Sequence, residues 1–334
     1  MAKDFSPRLT PEIQAKTRAI AEKISSARKV IVFTGAGIST ESGIPDYRSQ
    51  GGIWDKFTPV YFDEFMSSEP ARFRYWEQRM DMEKGLKHAR PNTGHMSIAR
   101  LYETHHLTCV ITQNIDGLHQ ASGIPDDMVI ELHGNTRRVR CMSCRTLSSW
   151  HAAEQMILAG DKAPRCGCGG YLKPDTISFG QAMPEKETRR AVALSSQCDV
   201  FLVVGSTLLV QPAALMPGYA LDAGAFVAII NLSPTPYDNQ CHVLGCPGKT
   251  PARCSCSRYR SPFDLICYSR SPWWGYLADG LSEPPRGFPA GSEVTPPGAA
   301  YLRSALDDPR QFIYSLIIEA TPHMTTAVRF PSDL

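Results

Sequence analysis

Residues 29–48, KVIVFTGAGISTESGIPDYR, decide the fold. They open on Val30-Ile31-Val32-Phe33, a short apolar run rich in β-branched residues, which predicts a buried strand. Gly35-Ala36-Gly37 follows at once, where a parallel strand must end in a sharp turn. Glycines there let backbone N–H groups approach an anion, and a following helix N-terminus adds a favourable dipole. The same Gly-x-Gly also suits a tight turn with no ligand. Ser39-Thr40 stand where the dinucleotide fingerprint has its third glycine.

Four more runs read like the first: 107–111, 128–131, 200–204 and 226–230. Each is short, apolar and non-alternating, as expected of strands buried on both faces of a parallel sheet. Each ends in a polar or glycine-bearing cluster: Gln113-Asn114-Ile115-Asp116, His133-Gly134-Asn135, Gly205-Ser206-Thr207 and Asn231-Leu232-Ser233. Ligands of open α/β sheets sit outside the carboxyl ends of the strands, so these clusters and the Gly35 turn should meet in one crevice. A helix is predicted over 11–27, started by Thr10-Pro11 and carrying Ile13, Ile20, Ile24 and Ala27 on one face. Helical segments are also expected at 61–65, 71–82 and 93–103. Their aromatics (Phe57, Tyr61, Phe62, Phe65, Phe73, Tyr75, Trp76) suit a core, with a share left to line an apolar channel over the Gly35 loop.

At 334 residues with 43% apolar residues, the chain can bury a large core, and a net charge of +2 argues against an obligatory nucleic-acid or membrane partner. The opening MAKDFSPRLT has no apolar signal-peptide core, and the longest apolar run, 200–210, is broken by Gly205-Ser206-Thr207. The expected compartment is the cytoplasm. Among eleven cysteines, Cys141-x-x-Cys144 and Cys166-x-Cys168, with twenty-one residues between the pairs, suit a metal better than disulfides. Coincidental buried cysteines are the alternative. Residues 137–175, rich in Arg, Cys, Gly and Pro, read as a small inserted zinc-ribbon domain rather than another βα unit.

The run from Gly35 to Arg48 closely resembles the signature loop of the sirtuins, NAD-dependent protein deacylases. Thr112-Gln113-Asn114-Ile115-Asp116, Leu132-His133-Gly134, the paired cysteines, Ser178-Phe179-Gly180, Gly205-Ser206-Thr207 and Asn231-Leu232-Ser233 follow in the family's order. The resemblance covers roughly 10–243. It implies an α/β Rossmann-like parallel sheet over 10–136 and 176–243, and a structural Zn2+ on Cys141, Cys144, Cys166 and Cys168. Four such ligands leave no open position for chemistry.

By the same resemblance NAD is the co-substrate. Gly35, Ala36, Gly37 and Thr40, with Gly205, Ser206 and Thr207 opposite, surround its phosphates. Asp46, Tyr47 and Arg48 lie on a loop over it, Tyr47 standing where many members have Phe. Gln113, Asn114 and Asp116 surround the nicotinamide and its ribose, and Asn231 and Ser233 reach the adenosine ribose. The peptide carrying an acyl-lysine adds as a strand at Ile177, Ser178, Phe179 and Gly180. His133 follows a strand beside Gly134, and an ordinary pKa near 6.5 suits a general base. The resemblance makes His133 and Asn114 catalytic, and His95 and His119 read as structural. The implied reaction has the acyl oxygen displace nicotinamide, with His133 taking a proton through the ribose hydroxyls. Free lysine and O-acyl-ADP-ribose are released.

Arg74-Tyr75-Trp76 looks like the class II branch, which includes lipoamidase-like deacylases and mono-ADP-ribosyltransferases. Desuccinylating members carry a Tyr-x-x-Arg pair, and here Tyr75 and Arg79 are one residue further apart. A zinc-ribbon binding module is a non-enzymatic rival, disfavoured by the absence of clustered Lys and Arg.

The chain changes character near 243. Its last 94 residues hold 12 of the 26 prolines and no sustained period, so 244–334 reads as an atypical, poorly ordered tail. One permitted back-translation of 247–255, CCC GGC AAA ACG CCG GCG AGG TGC TCC, read from its third base gives Arg-Gln-Asn-Ala-Gly-Glu-Val-Leu. That octapeptide resembles the family's C-terminal segment. A frameshift just after Val243 or Leu244 is therefore expected, which leaves a C-terminally defective product as an alternative to the active enzyme. The rival reading is a genuine Pro-rich tail or a second metal site from Cys241, Cys246, Cys254, Cys256 and Cys267.

Overall fold

A computed structural model describes residues 11–48 and 51–244. Thr10 and the tail beyond Leu244 lie outside the described residues, and so do the expectations placed on them.

The first half runs α1 (Pro11–Ser26), β1 (Val30–Thr34), a 3-10 turn Ala36–Ser42, α2 (Ile53–Lys56), α3 (Phe62–Ser67), α4 (Glu69–Leu86), α5 (Thr93–Glu103) and β2 (Leu107–Thr112). Next come α6 (Leu118–Ala121), β3 (Val129–Glu131), β4 (Gly134–Cys141), β5 (Leu147–Ser149), α7 (Trp150–Leu158) and β6 (Leu172–Thr176). The chain continues with α8 (Glu185–Ser195), β7 (Val200–Val204), α9 (Met216–Asp222), β8 (Phe226–Ile230) and β9 (His242–Leu244).

The larger sheet is parallel throughout, in the order β3-β2-β1-β7-β8-β9. β1 is central because its side chains are apolar on both faces. Alternate residues point to opposite sides, so Val30 and Val32 join Ile20, Ile24 and Ile98 in one core cluster. Ile31 and Phe33 join Phe201, Ile229 and Met216 in the other. Strand order reverses between β1 and β7, and a doubly wound sheet opens a ligand crevice at such a switch point. The five anticipated strands are all present.

The difference lies at the far edge. A sixth strand, His242–Leu244, pairs in parallel with β8 in the register Ala228↔His242. The sequence reading, which saw the family pattern break near 243, did not anticipate it.

Residues 134–176 build the second sheet, antiparallel in the order β5-β4-β6. It packs on α4 and α7 through Trp76, Val139, Trp150 and Leu172. Among the described residues no helix is long and apolar enough to cross a membrane.

Candidate active site and metal centre

Two strand-end loops touch at the switch point, and glycine is what lets them. The Gly37 N–H donates to the Gly205 carbonyl at 2.8 Å, and the Gly35 N–H to that of Val204 at 3.1 Å. A Cβ on Gly37 would sit 2.8 Å from the Gly205 carbonyl oxygen. Gly205 is in the left-handed region at φ +63, and a Cβ there would lie 2.3 Å from the Ile38 nitrogen. The glycines thus serve first to bring β1 and β7 loops together.

These loops wall a cavity of about 580 Å³. Gly35, Ala36, Gly37 and Thr40 line it from the β1 side, with Gly205, Ser206 and Thr207 from the β7 side. Asp46, Tyr47 and Arg48 line it too, as do Gln113, Asn114 and His133. Asn231 and Ser233 stand at one margin, and Ile177, Ser178, Phe179 and Gly180 at another. Of the residues expected around NAD and the peptide, Asp116 alone is absent from this wall. It lines an adjoining cavity of about 270 Å³ that shares Ala36, Tyr47 and Asn114 with the first.

The polar groups are fixed before any ligand arrives. Gln113 Nε2 donates to Ser206 Oγ at 2.8 Å, which ties the β2 and β7 loops together. Asn114 is buried, its Nδ2 donating to the Gly35 carbonyl (3.1 Å) and to Ser39 Oγ (3.2 Å). Ser39 Oγ in turn donates to Asp116 Oδ2 at 2.8 Å, and Asp116 Oδ1 accepts the Leu118 N–H. Burial raises the Asp116 carboxyl above its ordinary range, against the lowering effect of those hydrogen bonds. Ser39, which links Asn114 to Asp116, was not counted among the site residues from sequence, although it stands two residues after the Gly-x-Gly.

His133 Nδ1 lies 3.0 Å from the Gln113 carbonyl oxygen. A carbonyl only accepts, so Nδ1 carries the proton and Nε2 is left as the basic nitrogen. Burial pushes the His133 pKa below its ordinary 6.5, and the Gln113 hydrogen bond partly restores it. The imidazole is therefore neutral at pH 7. His95 and His119 are held inside as expected: Thr34 Oγ1 and His119 Nε2 are 2.8 Å apart, and Asn92 Oδ1 and His95 Nδ1 likewise.

The aromatics divide between the two roles expected for them. Phe65 and Trp76 are core, whereas Phe57 and Tyr75 line the cavity. Trp54, not singled out from sequence, packs at a tilt between Tyr47 (5.2 Å, 45°) and Phe179 (5.7 Å, 42°) at the cavity wall. Tyr75 and Arg79 meet despite their spacing, the guanidinium Nη2 lying 3.4 Å from the Tyr75 hydroxyl. Residues four apart share a helix face.

The four cysteines converge in the small sheet. Cys141 and Cys168 sulfurs are 3.5 Å apart, Cys144 and Cys166 sulfurs 3.7 Å, and all four lie within 4.8 Å of one another. Those separations exceed a disulfide's roughly 2 Å. They match the ~3.8 Å sulfur–sulfur edge of a tetrahedron with Zn–S near 2.3 Å. The donor set fits zinc, with every position taken by the protein.

The Sir2 family model matches residues 35–212. The NAD-dependent protein deacetylase 1 of Bradyrhizobium diazoefficiens is 46% identical over 232 residues, covering 69% of this chain and 91% of the relative. The NAD-dependent protein deacylase 2 of Pyrobaculum aerophilum is 40% identical over 220 residues, covering 65% of this chain and 84% of the relative. Among solved structures, a Sir2–p53 peptide–NAD+ complex superposes with a TM-score of 0.60 at 33% identity, over 68% of this chain and 91% of the other. Sir2Tm bound to a propionylated peptide gives 0.61 at 33% identity, with the same coverage. With half the chain under the family model and relatives matched over most of their length, this protein belongs to the Sir2 family, the sirtuins.

Proposed function

We propose that the chain is an NAD-dependent protein-lysine deacylase that moves the acyl group of an acyl-lysine peptide onto ADP-ribose and releases nicotinamide. The observation that carries it is His133, a neutral imidazole with Nδ1 pinned and Nε2 basic, lining one cavity with Asn114 and the Gly35 and Ser206 loops. NAD supplies an activated glycosidic carbon and a good leaving group. The protein's own part is to hold and deprotonate. The Gly35–Gly37 and Gly205–Thr207 loops would take the diphosphate, with Thr40 beside them. Asn231 and Ser233 would take the adenosine ribose, and Asp46, Tyr47 and Arg48 would cover the cofactor. Gln113, Asn114 and Asp116 would surround the nicotinamide end, with His133 Nε2 accepting a proton from the ribose hydroxyls.

The Ile177–Gly180 segment, directly after β6, would add the substrate as a strand. Acyl-peptide complexes of related structures favour that reading. We assign 10–136 and 176–243 to the NAD-binding domain and 137–175 to the zinc module, whose metal is structural. The described cysteines form no disulfide, which suits the reducing cytoplasm we infer. The test is mass spectrometry of an acetyl-lysine peptide incubated with and without NAD. Loss of the acetyl group only with NAD, together with O-acetyl-ADP-ribose, is expected. NAD-independent loss or none would refute the proposal.

A further inference from the structure

Deacylation changes the charge of a lysine. The acyl-lysine nitrogen is a neutral amide, whereas the freed amine, with a pKa near 10.4, takes up a proton and becomes an ammonium at neutral pH. The charges lining the main cavity respond to that difference. Asp46 and Arg48 offset one another on the loop over the cavity, which leaves the guanidinium of Arg79.

Arg79 is half-buried on α4. Its Nη2 donates to Thr176 Oγ1 at 2.6 Å, but its buried Nη1 has no hydrogen-bond partner and no carboxylate forms an ion pair with it among the described residues. Glu83, one turn on, makes no ion pair with it either. Behind it Lys173 is fully buried, donating to the Thr176 and Pro174 carbonyls, with its ammonium 5.3 Å from the Tyr75 ring centroid. A buried cation with an idle donor is costly. Arg79, with its buried Nη1, is such a cation and lines the cavity that an acyl-lysine would enter.

We propose that Arg79 acts as a charge filter in the cavity wall, admitting a lysine capped as an amide and repelling the free ε-ammonium. Deacylation then turns a ligand into an expelled product. This rests on the deacylase reading above. Tyr75 tunes the filter. Burial would raise its hydroxyl, but Arg79, Lys173 and the hydrogen bonds from Thr176 and Arg79 outweigh burial and bring it down to about 7. Above that pH a phenolate beside Arg79 cancels part of the positive field. The other titratable neighbours are Glu83, whose charge acts on Arg79 without a close ion pair, Tyr47, whose own hydroxyl burial raises, with Arg48 and Asp116 beyond it, and Asp175 near Lys173.

The test is calorimetric binding of three peptides to the full chain, identical but for one residue: acetyl-lysine, lysine, or norleucine, which is lysine's chain without the nitrogen. At pH 6.5 the norleucine peptide should bind roughly tenfold more tightly than the lysine peptide, a gap the size of one charge–charge repulsion in a partly buried site. Arg79→Gln, which keeps a donor for Thr176, should close the gap and leave acetyl-lysine binding in place. The wild-type gap should narrow as pH rises past 7, and Tyr75→Phe should remove that pH dependence. Equal binding of lysine and norleucine peptides by the wild type overturns the filter, as does a gap unchanged in Arg79→Gln. A wild-type gap that stays constant through pH 7 overturns it without recourse to any variant. Failure of the wild type to bind acetyl-lysine peptide at all would instead overturn the deacylase reading, and the filter with it.

Discussion

His133 shows how one residue's surroundings set its chemistry. A base must be neutral to accept a proton, and burial has moved its pKa below 6.5. The acid limb of the deacylation pH–rate profile should therefore lie below pH 6.5. A pH–rate profile of kcat/KM whose acid limb sits at or above 6.5 would contradict this. Gly205 is the other residue whose identity is dictated. With φ at +63 and the Ile38 nitrogen 2.3 Å from where a Cβ would stand, Gly205→Ala meets both strain and clash. It should cost about 2 kcal/mol or more, read as a lowered midpoint in urea unfolding. An unchanged midpoint would mean the loops separate freely. Both residues were legible in the sequence as strand-end positions. Arg79 was named with Tyr75, but their spacing was compared with a Tyr-x-x-Arg pair rather than with the helix expected over 71–82, whose turn puts residues four apart on one face. Tyr75 and Trp76 are neighbours in sequence, yet one lines the cavity and the other is core, since successive helical residues point about 100° apart.

Among the elements, the parallel strands were the easiest to read. Val200–Val204 and Phe226–Ile230 are uniformly apolar because helices cover both faces. β4 was hidden by its composition, Gly134-Asn135-Thr136-Arg137-Arg138-Val139-Arg140-Cys141. Two of its three arginines are accommodated by carboxylates of β3 and β6: Arg140 Nε reaches Asp175 at 2.6 Å, and Arg138 reaches Glu131 at 2.7 Å and Asp175 at 3.2 Å. Such pairs exist only after folding, so no local pattern announces them. β9, at three residues, is too short for any periodicity. The small sheet depends on its metal, since its apolar cluster is modest and all four thiols converge on one point. Elemental analysis should give one zinc per chain, and Cys141→Ser with Cys168→Ser should give none. Strong chelation should lower the thermal midpoint of the wild type and leave that of the double variant unchanged. A metal-free wild type with an unaltered midpoint would exclude a structural ion.

For the whole molecule, buried histidines tie stability to pH. His95 and His119 pack with ring centroids 5.1 Å apart inside the fold. Burial lowers His95 to about 4 and His119 well below its ordinary value. Both are neutral when folded and bind protons near pH 6.5 when unfolded. Their contribution is complete above about pH 6.5 and is lost as pH falls toward 4. For His95 the loss is on the order of 3 kcal/mol. Thermal midpoints should fall across that window, and a flat response would show the histidines already charged inside. The C-terminal edge carries a second prediction. Restoring the alternative frame after Leu244 should extend β9, raise the unfolding midpoint and tighten NAD binding relative to the chain as given. Identical values for both chains would make the present tail an adequate replacement.

The most direct measurement is nicotinamide release from NAD driven by an acetyl-lysine peptide, comparing the wild type with His133→Ala. Removing a general base should slow deacylation by roughly 10²–10⁴-fold while the peptide still binds. Wild-type release that ignores the peptide, or undiminished deacylation by His133→Ala, would contradict the role given to the imidazole.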